Sequence, residues 1–327
     1  MNREPKYMSV VHWVEEEIRS GDLRLGDRLP SANAFRIKFS LSRSSVFLAM
    51  KDLCARGIVH PQEAVGYFVK STYIDVQEKV LLLFNELTSF KEDLYRSFLD
   101  ELGPDVPVDI VFHHYDRRVF ENQLREADGN YTSYVVMPGK FRGLRSLLES
   151  LHGKVFLVDH YQDDLRGHFP AVGQDFEQDT YDALVQGLPH LRKYSSIVLL
   201  QHHAIEPEER CDGLRRFCGE YGFSSLALPS IQGMSLIPGT LYLTAEDREL
   251  VRLIKQARQQ NLGIGTGIGI LSYNESLLKE VIANGISTLS TDFTQMGRTL
   301  AGLIRRQTPG PVPDIRNPWI LRLRGSI

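Results

Sequence analysis

Arg43 stands between Ser42 and the pair Ser44-Ser45, in a stretch that reads LSRSSVFLAMKDL from Leu41 to Leu53. A guanidinium offers parallel N–H donors in one plane, which suits two acceptors side by side. Hydroxyls and backbone N–H groups at a helix N-terminus suit anionic oxygens. Together they could donate in bidentate fashion to O6 and N7 of a guanine while serines hold the flanking phosphates. Arg28 and Ser31 lie upstream in Gly26-Asp27-Arg28-Leu29-Pro30-Ser31, and Gly66 lies downstream in Gly66-Tyr67-Phe68-Val69. An isolated Ser-Arg-Ser would read as a helix cap with a solvated cation, so the elements around it must decide.

Those elements are legible. Val10, Trp13, Val14 and Ile18 recur at helical spacing over Met8–Ser20, and Gly21 can end that helix in a left-handed conformation. Ser31 is a good N-cap for a helix over Ala32–Phe39, and Ser42 caps a third helix whose inward face is Val46, Met50 and Leu53. Ile58–His60 and Tyr67–Val69 predict two strands, with Pro61 and Gly66 bracketing the loop between them. The pattern is a winged helix-turn-helix, which points the start of its third helix at a DNA major groove. Arg43, Ser44 and Ser45 then reach base edges and phosphates.

This stretch resembles the GntR family of bacterial transcription regulators over about residues 8–71. Gly26–Ser31 matches the family's opening signature, Leu41–Val46 its recognition-helix start, and Gly57-Ile58-Val59 with Gly66–Val69 its wing. The resemblance implies that Arg28, Ser31, Ser42, Arg43, Ser44 and Gly66 approach operator DNA. Two departures stand out: Ala32, Asn33 and Ala34 replace a frequent Glu-Arg-Glu, and Phe47 replaces a frequent Arg. The operator is therefore expected to differ from the common one.

Charge agrees with this division. The 327 residues carry a formal net charge of -3, yet residues 1–73 are net positive and the remainder net negative. Phosphate attraction needs positive charge on one face only. No apolar run approaches the ~18 residues of a membrane helix. Glu4, Trp13 and Glu15 to Glu17 break any signal-peptide pattern. Three cysteines, Cys54, Cys211 and Cys218, are too few for a disulfide framework, so a reducing cytoplasm is the expected compartment.

Beyond residue 72 apolar strands alternate with helical segments. Val80–Phe84, Val108–Phe112, Tyr134–Met137, Lys154–Val158 and Ile197–Leu200 predict buried parallel strands, followed by Thr240–Leu243, Gly263–Thr266 and Ile286–Leu289. Helices fit Phe90–Leu102, Phe120–Ala127, Leu144–His152, Asp179–Leu188, Ala245–Gln259 and Gln295–Arg306. The fold class is α/β, with doubly wound parallel sheets behind the helical head.

This portion is similar to the LacI-type effector domain, which shares the two-lobed periplasmic sugar-binding fold. Ala171–Asp175, Tyr242–Arg248, Gly267–Asn274, Ile286–Leu289 and Phe293–Gly297 carry the likeness. Glu246 stands where the family usually has Asn. The expected domains are 1–72 for DNA binding, 73–79 as linker and 80–327 for effector binding and dimerisation. In such folds the ligand lies at the C-terminal ends of strands, between the lobes. Asn85, Phe90, Tyr115, Asp159, Gln174, Asp175, Gln178, Glu246 and Asn274 follow strand ends here. Their amides, carboxylates and rings suit a neutral polyol, and a monosaccharide is the effector the likeness implies. Lys91, Arg117 and Arg118 leave a phosphorylated or other metabolite open. The expected partners are operator DNA, the effector and a second copy of the chain, in a ligand-controlled repressor that is not an enzyme.

Other signals carry less. Gly263–Gly269 fits neither dinucleotide nor P-loop spacing and reads as a strand packed close to a neighbour. His113-His114, His202-His203, Cys211 and Cys218 define no ligand set, so neither metal nor cofactor is expected. Asp159-His160 and Asp163-Asp164 lack the third partner of a catalytic centre. A sugar-binding module without a DNA role would leave Arg28–Val69 unexplained.

Overall fold

The computed structural model describes residues 5–62, 65–72, 78–202, 206–305 and 312–327. Most of the expected linker, 73–77, and His203 lie outside them. The elements are α1 (Met8–Ser20), α2 (Ala32–Phe39), α3 (Arg43–Ala55), β1 (Val59–Gln62), β2 (Gly66–Val69), β3 (Val80–Phe84), α4 (Ser89–Leu102), β4 (Val108–Phe112), α5 (Arg117–Ala127), β5 (Ser133–Val136), α6 (Arg145–Glu149) and β6 (Lys154–Asp159). They continue with β7 (Ala171–Gly173), α7 (Phe176–Leu191), β8 (Ser196–Leu200), α8 (Glu209–Tyr221), β9 (Ser224–Leu228), β10 (Thr240–Thr244), α9 (Asp247–Gln259), β11 (Gly269–Tyr273), α10 (Leu277–Val281), β12 (Ser287–Thr291), α11 (Phe293–Arg305), β13 (Asp314–Arg316) and β14 (Trp319–Arg322). Among the described residues no helix is long and apolar enough to cross a membrane. The chain forms two compact units, one of residues 1–86, 102–137 and 141–157, the other of 87–101, 138–140 and 158–327.

The first unit begins with the helical head. Val10, Val14, Phe35, Val46, Met50 and Leu53 close its core, with Leu29 and Val69 brought in by the wing. Gly21 has φ 85°, and Ser31 Oγ accepts the Ala34 N–H at 3.2 Å, so both predicted helix boundaries have their physical cause. β1 and β2 pair antiparallel from Val59↔Val69 to Gln62↔Gly66. Arg56 ties the end of α3 to Glu15 of α1 and to Asp52. Behind the head run β6-β5-β3-β4, all parallel. Every residue of β3 is buried, as its uninterrupted apolar text requires. β3 comes first in the chain yet lies between β4 and β5, so the direction of winding reverses beside it. Lys51 of α3 reaches this sheet layer: its Nζ lies 3.3 Å from Asp128 Oδ2 and 3.0 Å from His152 Nδ1. Burial works to raise the Asp128 carboxyl, but the His152 hydrogen bonds and the Lys51 charge outweigh it and hold the group below its ordinary value.

The second unit holds a six-stranded sheet in the order β14-β12-β11-β10-β8-β9, with β14 antiparallel to β12 and the other neighbours parallel. α7 and α8 cover one face with Leu184, Leu214 and Phe217, and α9 covers the other with Leu250, Leu253 and Ile254. Here β8 is the interior strand where winding reverses. β7 pairs in parallel with β13, which restores chain from the C-terminal region to the segment leading into α7.

One sequence expectation fails. Residues 263–266 form a turn, not a strand: Gly267 and Ile268 N–H both donate to Gly263 O, and Gly265 has φ 85°. A Cβ at Gly265 would stand 2.1 Å from Gly325 O, so the turn presses on the C-terminal backbone. The strand itself starts later, at Gly269.

Candidate functional site

α3 starts where Ser42 leaves extended backbone, and Ser42 Oγ accepts the Ser45 N–H at 3.1 Å. The hydroxyls of Ser44 and Ser45 lie 2.8 and 2.9 Å from that same oxygen. The three serines therefore form one polar tip on the positive end of the helix dipole. Arg43 beside them is exposed. At the wing, Arg28 donates to the Val65 carbonyl. Gly66 has φ 139°, and a Cβ there would come within 3.3 Å of Arg28 Nε, so Gly66 makes room for that guanidinium. Arg28, Ser31 and Gly66 line one hollow between the start of α2 and the wing, together with Pro30 and Gln62. Ser31 is also the cap of α2.

In the first unit, Asn85 ends β3 and Tyr115 follows β4. Asn85 Oδ1 accepts the Glu86 N–H at 2.9 Å, and Tyr115 Oη donates to Glu86 Oε1 at 2.7 Å. His113, on the same strand end, lies 3.0 Å by Nε2 from the Met137 carbonyl, which gives it a structural post.

The second unit gathers the rest. Asp159 Oδ1 accepts Gln174 Nε2 at 2.5 Å, joining two expected ligand residues. Gln174 and Asn274 line one recess with Phe176, Tyr273, Thr291 and Trp319. Asp175 caps α7 by accepting the Gln178 N–H at 3.0 Å. Gln178 itself is engaged elsewhere, donating to Asp182 at 2.6 Å and accepting from Arg216 at 3.2 Å. Phe90 packs on Phe293 with ring centroids 4.9 Å apart, and Glu246 stands at the start of α9. Tyr115 (φ 59°), Asp159 (φ 70°) and Asn274 (φ 62°) all adopt left-handed backbone at strand ends. Such strain collects at binding and catalytic positions.

Residues missed by sequence reasoning are Arg210 and Glu206. Arg210 is 6 % exposed, with its guanidinium 4.3 Å from the Tyr273 ring centroid and 5.0 Å from that of Phe176. Glu206 Oε1 lies 3.5 Å from Arg210 Nη1, and burial raises the Glu206 carboxyl while Arg210 opposes it. Arg210 Nε is buried without a hydrogen-bond partner among the described residues. An unpaired buried donor on a cation is costly and asks for an explanation. Both residues follow β8, the winding-reversal strand, where α/β sheets take their ligands. Nearby, burial pushes the Asp179 carboxyl up to about 6 against the pull of Arg316 at 2.5 and 2.9 Å. Arg117 is engaged with Glu121 and the Arg142 carbonyl, and Arg118 stands near Asp116. Among the described residues no group of three His, Cys, Asp or Glu is placed to hold a metal ion.

Comparison with known proteins matches the head by sequence and the fold by structure. Residues 6–69 match the model of the bacterial regulatory proteins, gntR family. The mannosyl-D-glycerate transport/metabolism system repressor of Escherichia coli (strain K12) is 31% identical over 100 residues, 31% of this chain and 39% of that repressor's length. A LacI family transcriptional regulator from Enterococcus faecium, solved with bound ribose, superposes with TM-score 0.62 at 18% identity, over 76% of this chain and 98% of its own. The trehalose repressor from Escherichia coli gives TM-score 0.62 at 17% identity, over 75% and 99%. Residues 6–69 of this chain thus match the gntR family model, and the likeness to the solved LacI-type regulators is one of fold.

Proposed function

We propose that the chain is a sequence-specific DNA-binding transcription regulator, acting as a repressor, whose hold on its operator is set by a small sugar. The observation that carries this is the exposed Arg43 beside the serine tip of α3, on a helix whose other face is fixed in the head core. A gel-shift assay with DNA upstream of its own locus, with and without pentoses and hexoses, tests it. A shift at moderate salt that one sugar abolishes is the expected result; no shift under any condition overturns the reading.

The sugar reading rests on the second unit, where Gln174, bonded to Asp159, and Asn274 line a recess with Phe176 and Tyr273, the two rings on which Arg210 packs. Amide and carboxylate groups bond vicinal hydroxyls, and rings cover a C–H face. The cation Arg210 already faces Glu206, which suits a neutral hydroxylated ligand better than a phosphate. The ribose held by a regulator of the same fold points to the same class. Arg210→Met keeps the bulk and removes the donors. It is expected to weaken sugar affinity by roughly tenfold or more. Thermal-shift titration, read against each variant's own ligand-free melting temperature, checks this; an unchanged titration removes Arg210 from the site.

A homodimer is the expected assembly, since two heads read two half-sites. α10 leaves Leu277, Leu278 and Val281 exposed in the second unit, and Lys279 ties it to Asp247, one turn before the exposed Val251 of α9. A second copy covering this face would account for it. Light scattering is expected to return twice the 37.2 kDa chain mass for the native protein and the single mass for Leu277→Asp with Val281→Asp. A native monomer at working concentration rejects this assembly.

A further inference from the structure

Val46, Ala49, Met50 and Leu53 turn one side of α3 into the head core. The opposite side carries Arg43, Phe47 and Lys51 at successive turns. Phe47 is 54 % exposed and belongs to no part of the head's hydrophobic cluster. Its ring contact is the Lys51 ammonium, 5.5 Å from the centroid. Lys51 is drawn toward Asp128 and His152, but the phenyl ring itself is left in water with no folding reason, one turn beyond Arg43 on the N-terminal half of α3 that enters the groove.

The major groove offers one apolar feature to such a ring, the 5-methyl group of thymine. A phenyl has neither donor nor acceptor. Set against a cytosine or adenine amino group, it would strip that group of water and give nothing back. Set against a methyl, both surfaces leave water together. Four helical residues advance about 6 Å, close to two base steps of about 3.4 Å each. We infer that Phe47 is a specificity-determining residue that packs on a thymine methyl about two steps from the base read by Arg43. This rests on the reading of α3 as the helix that enters the groove.

The test uses the full-length protein and an operator selected from random duplexes. Each thymine of the half-site is replaced in turn by deoxyuridine, which keeps the pairing and removes only the methyl. One position is expected to lose about fourfold in affinity, the worth of one buried methyl. Phe47→Ala is expected to bind the thymine and deoxyuridine duplexes equally, and Phe47→Leu to restore the preference. The side chain is exposed, so both variants are expected to keep the native melting temperature. A half-site with no deoxyuridine-sensitive position, or a penalty that persists in Phe47→Ala, overturns the inference while leaving DNA binding in place. Failure to select any duplex removes the groove reading itself, and the inference with it.

Discussion

Arg43→Ala is expected to lower affinity for the selected operator by about 1–3 kcal/mol, roughly five- to 150-fold, and to leave binding to unrelated duplex nearly unchanged. The asymmetry follows from the tip of α3. Ser42, Ser44 and Ser45 share one hydroxyl oxygen and remain to meet phosphates. Removing the guanidinium takes away base discrimination and a single charge. Arg43 is exposed and makes no hydrogen bond or ion pair among the described residues, so stability should change by no more than about 0.5 kcal/mol. Fluorescence anisotropy at fixed salt, with a scrambled duplex alongside, measures both arms. Equal loss on the two duplexes would make Arg43 a phosphate contact; no loss on either would take the start of α3 out of the interface.

Gly297→Ala is expected to be among the most damaging small substitutions in the body. α11 crosses α4 so closely that a Cβ at Gly297 would stand 2.2 Å from Ser97 Oγ, 2.4 Å from Leu94 O and 2.9 Å from Phe98 N. Two of those three atoms are backbone, which no rotamer change can move aside. Overpacking of this kind costs about 3 kcal/mol, and in a domain of this size lowers the melting temperature by about 6 °C or more. Gly302, on the same helix, has nothing within 4 Å of its would-be Cβ. Gly302→Ala is expected to stabilise by about 0.5 kcal/mol through helix propensity alone. A scan in which both variants melt alike would show that the helices can part without cost.

The head was readable because its signals are local. Ser31 and Ser42 cap the helices they precede, Gly21 turns left-handed, and the wing strands pair antiparallel from Val59↔Val69 to Gln62↔Gly66. The parallel strands were readable because burial on both faces leaves unbroken apolar runs such as Val80–Phe84. Residues 263–266 misled because alternating glycine and apolar residues imitate a strand. Local hydrogen bonds to Gly263 O close them into a turn, and Gly265 at φ 85° lets that turn press on the backbone at Gly325. Arg210 and Glu206 sit in a charged stretch, Glu206–Asp212, that looks solvated. Tertiary packing buries them: Arg210 lies against Phe176 of α7 and Tyr273 of β11, and the close approach of α8 to α7 needs Gly213, whose Cβ would meet Glu177 O at 2.2 Å. Gln178, by contrast, has the right type and place in sequence, but helix geometry aims it at Asp182 and Arg216. β7 and β13, three residues each, are too short to leave a pattern.

The ion pair from Lys51 to Asp128, shared with His152, bears on how ionic strength acts on this protein. An ammonium neutralised from within displaces no condensed counterion from a duplex, so Lys51 adds nothing to the steepness with which binding falls as electrolyte rises. The pair itself is part-buried, so the same electrolyte screens it much less. On the proposed function, added salt therefore loosens the grip on the polyanion while largely sparing the fastening of α3 to its own scaffold.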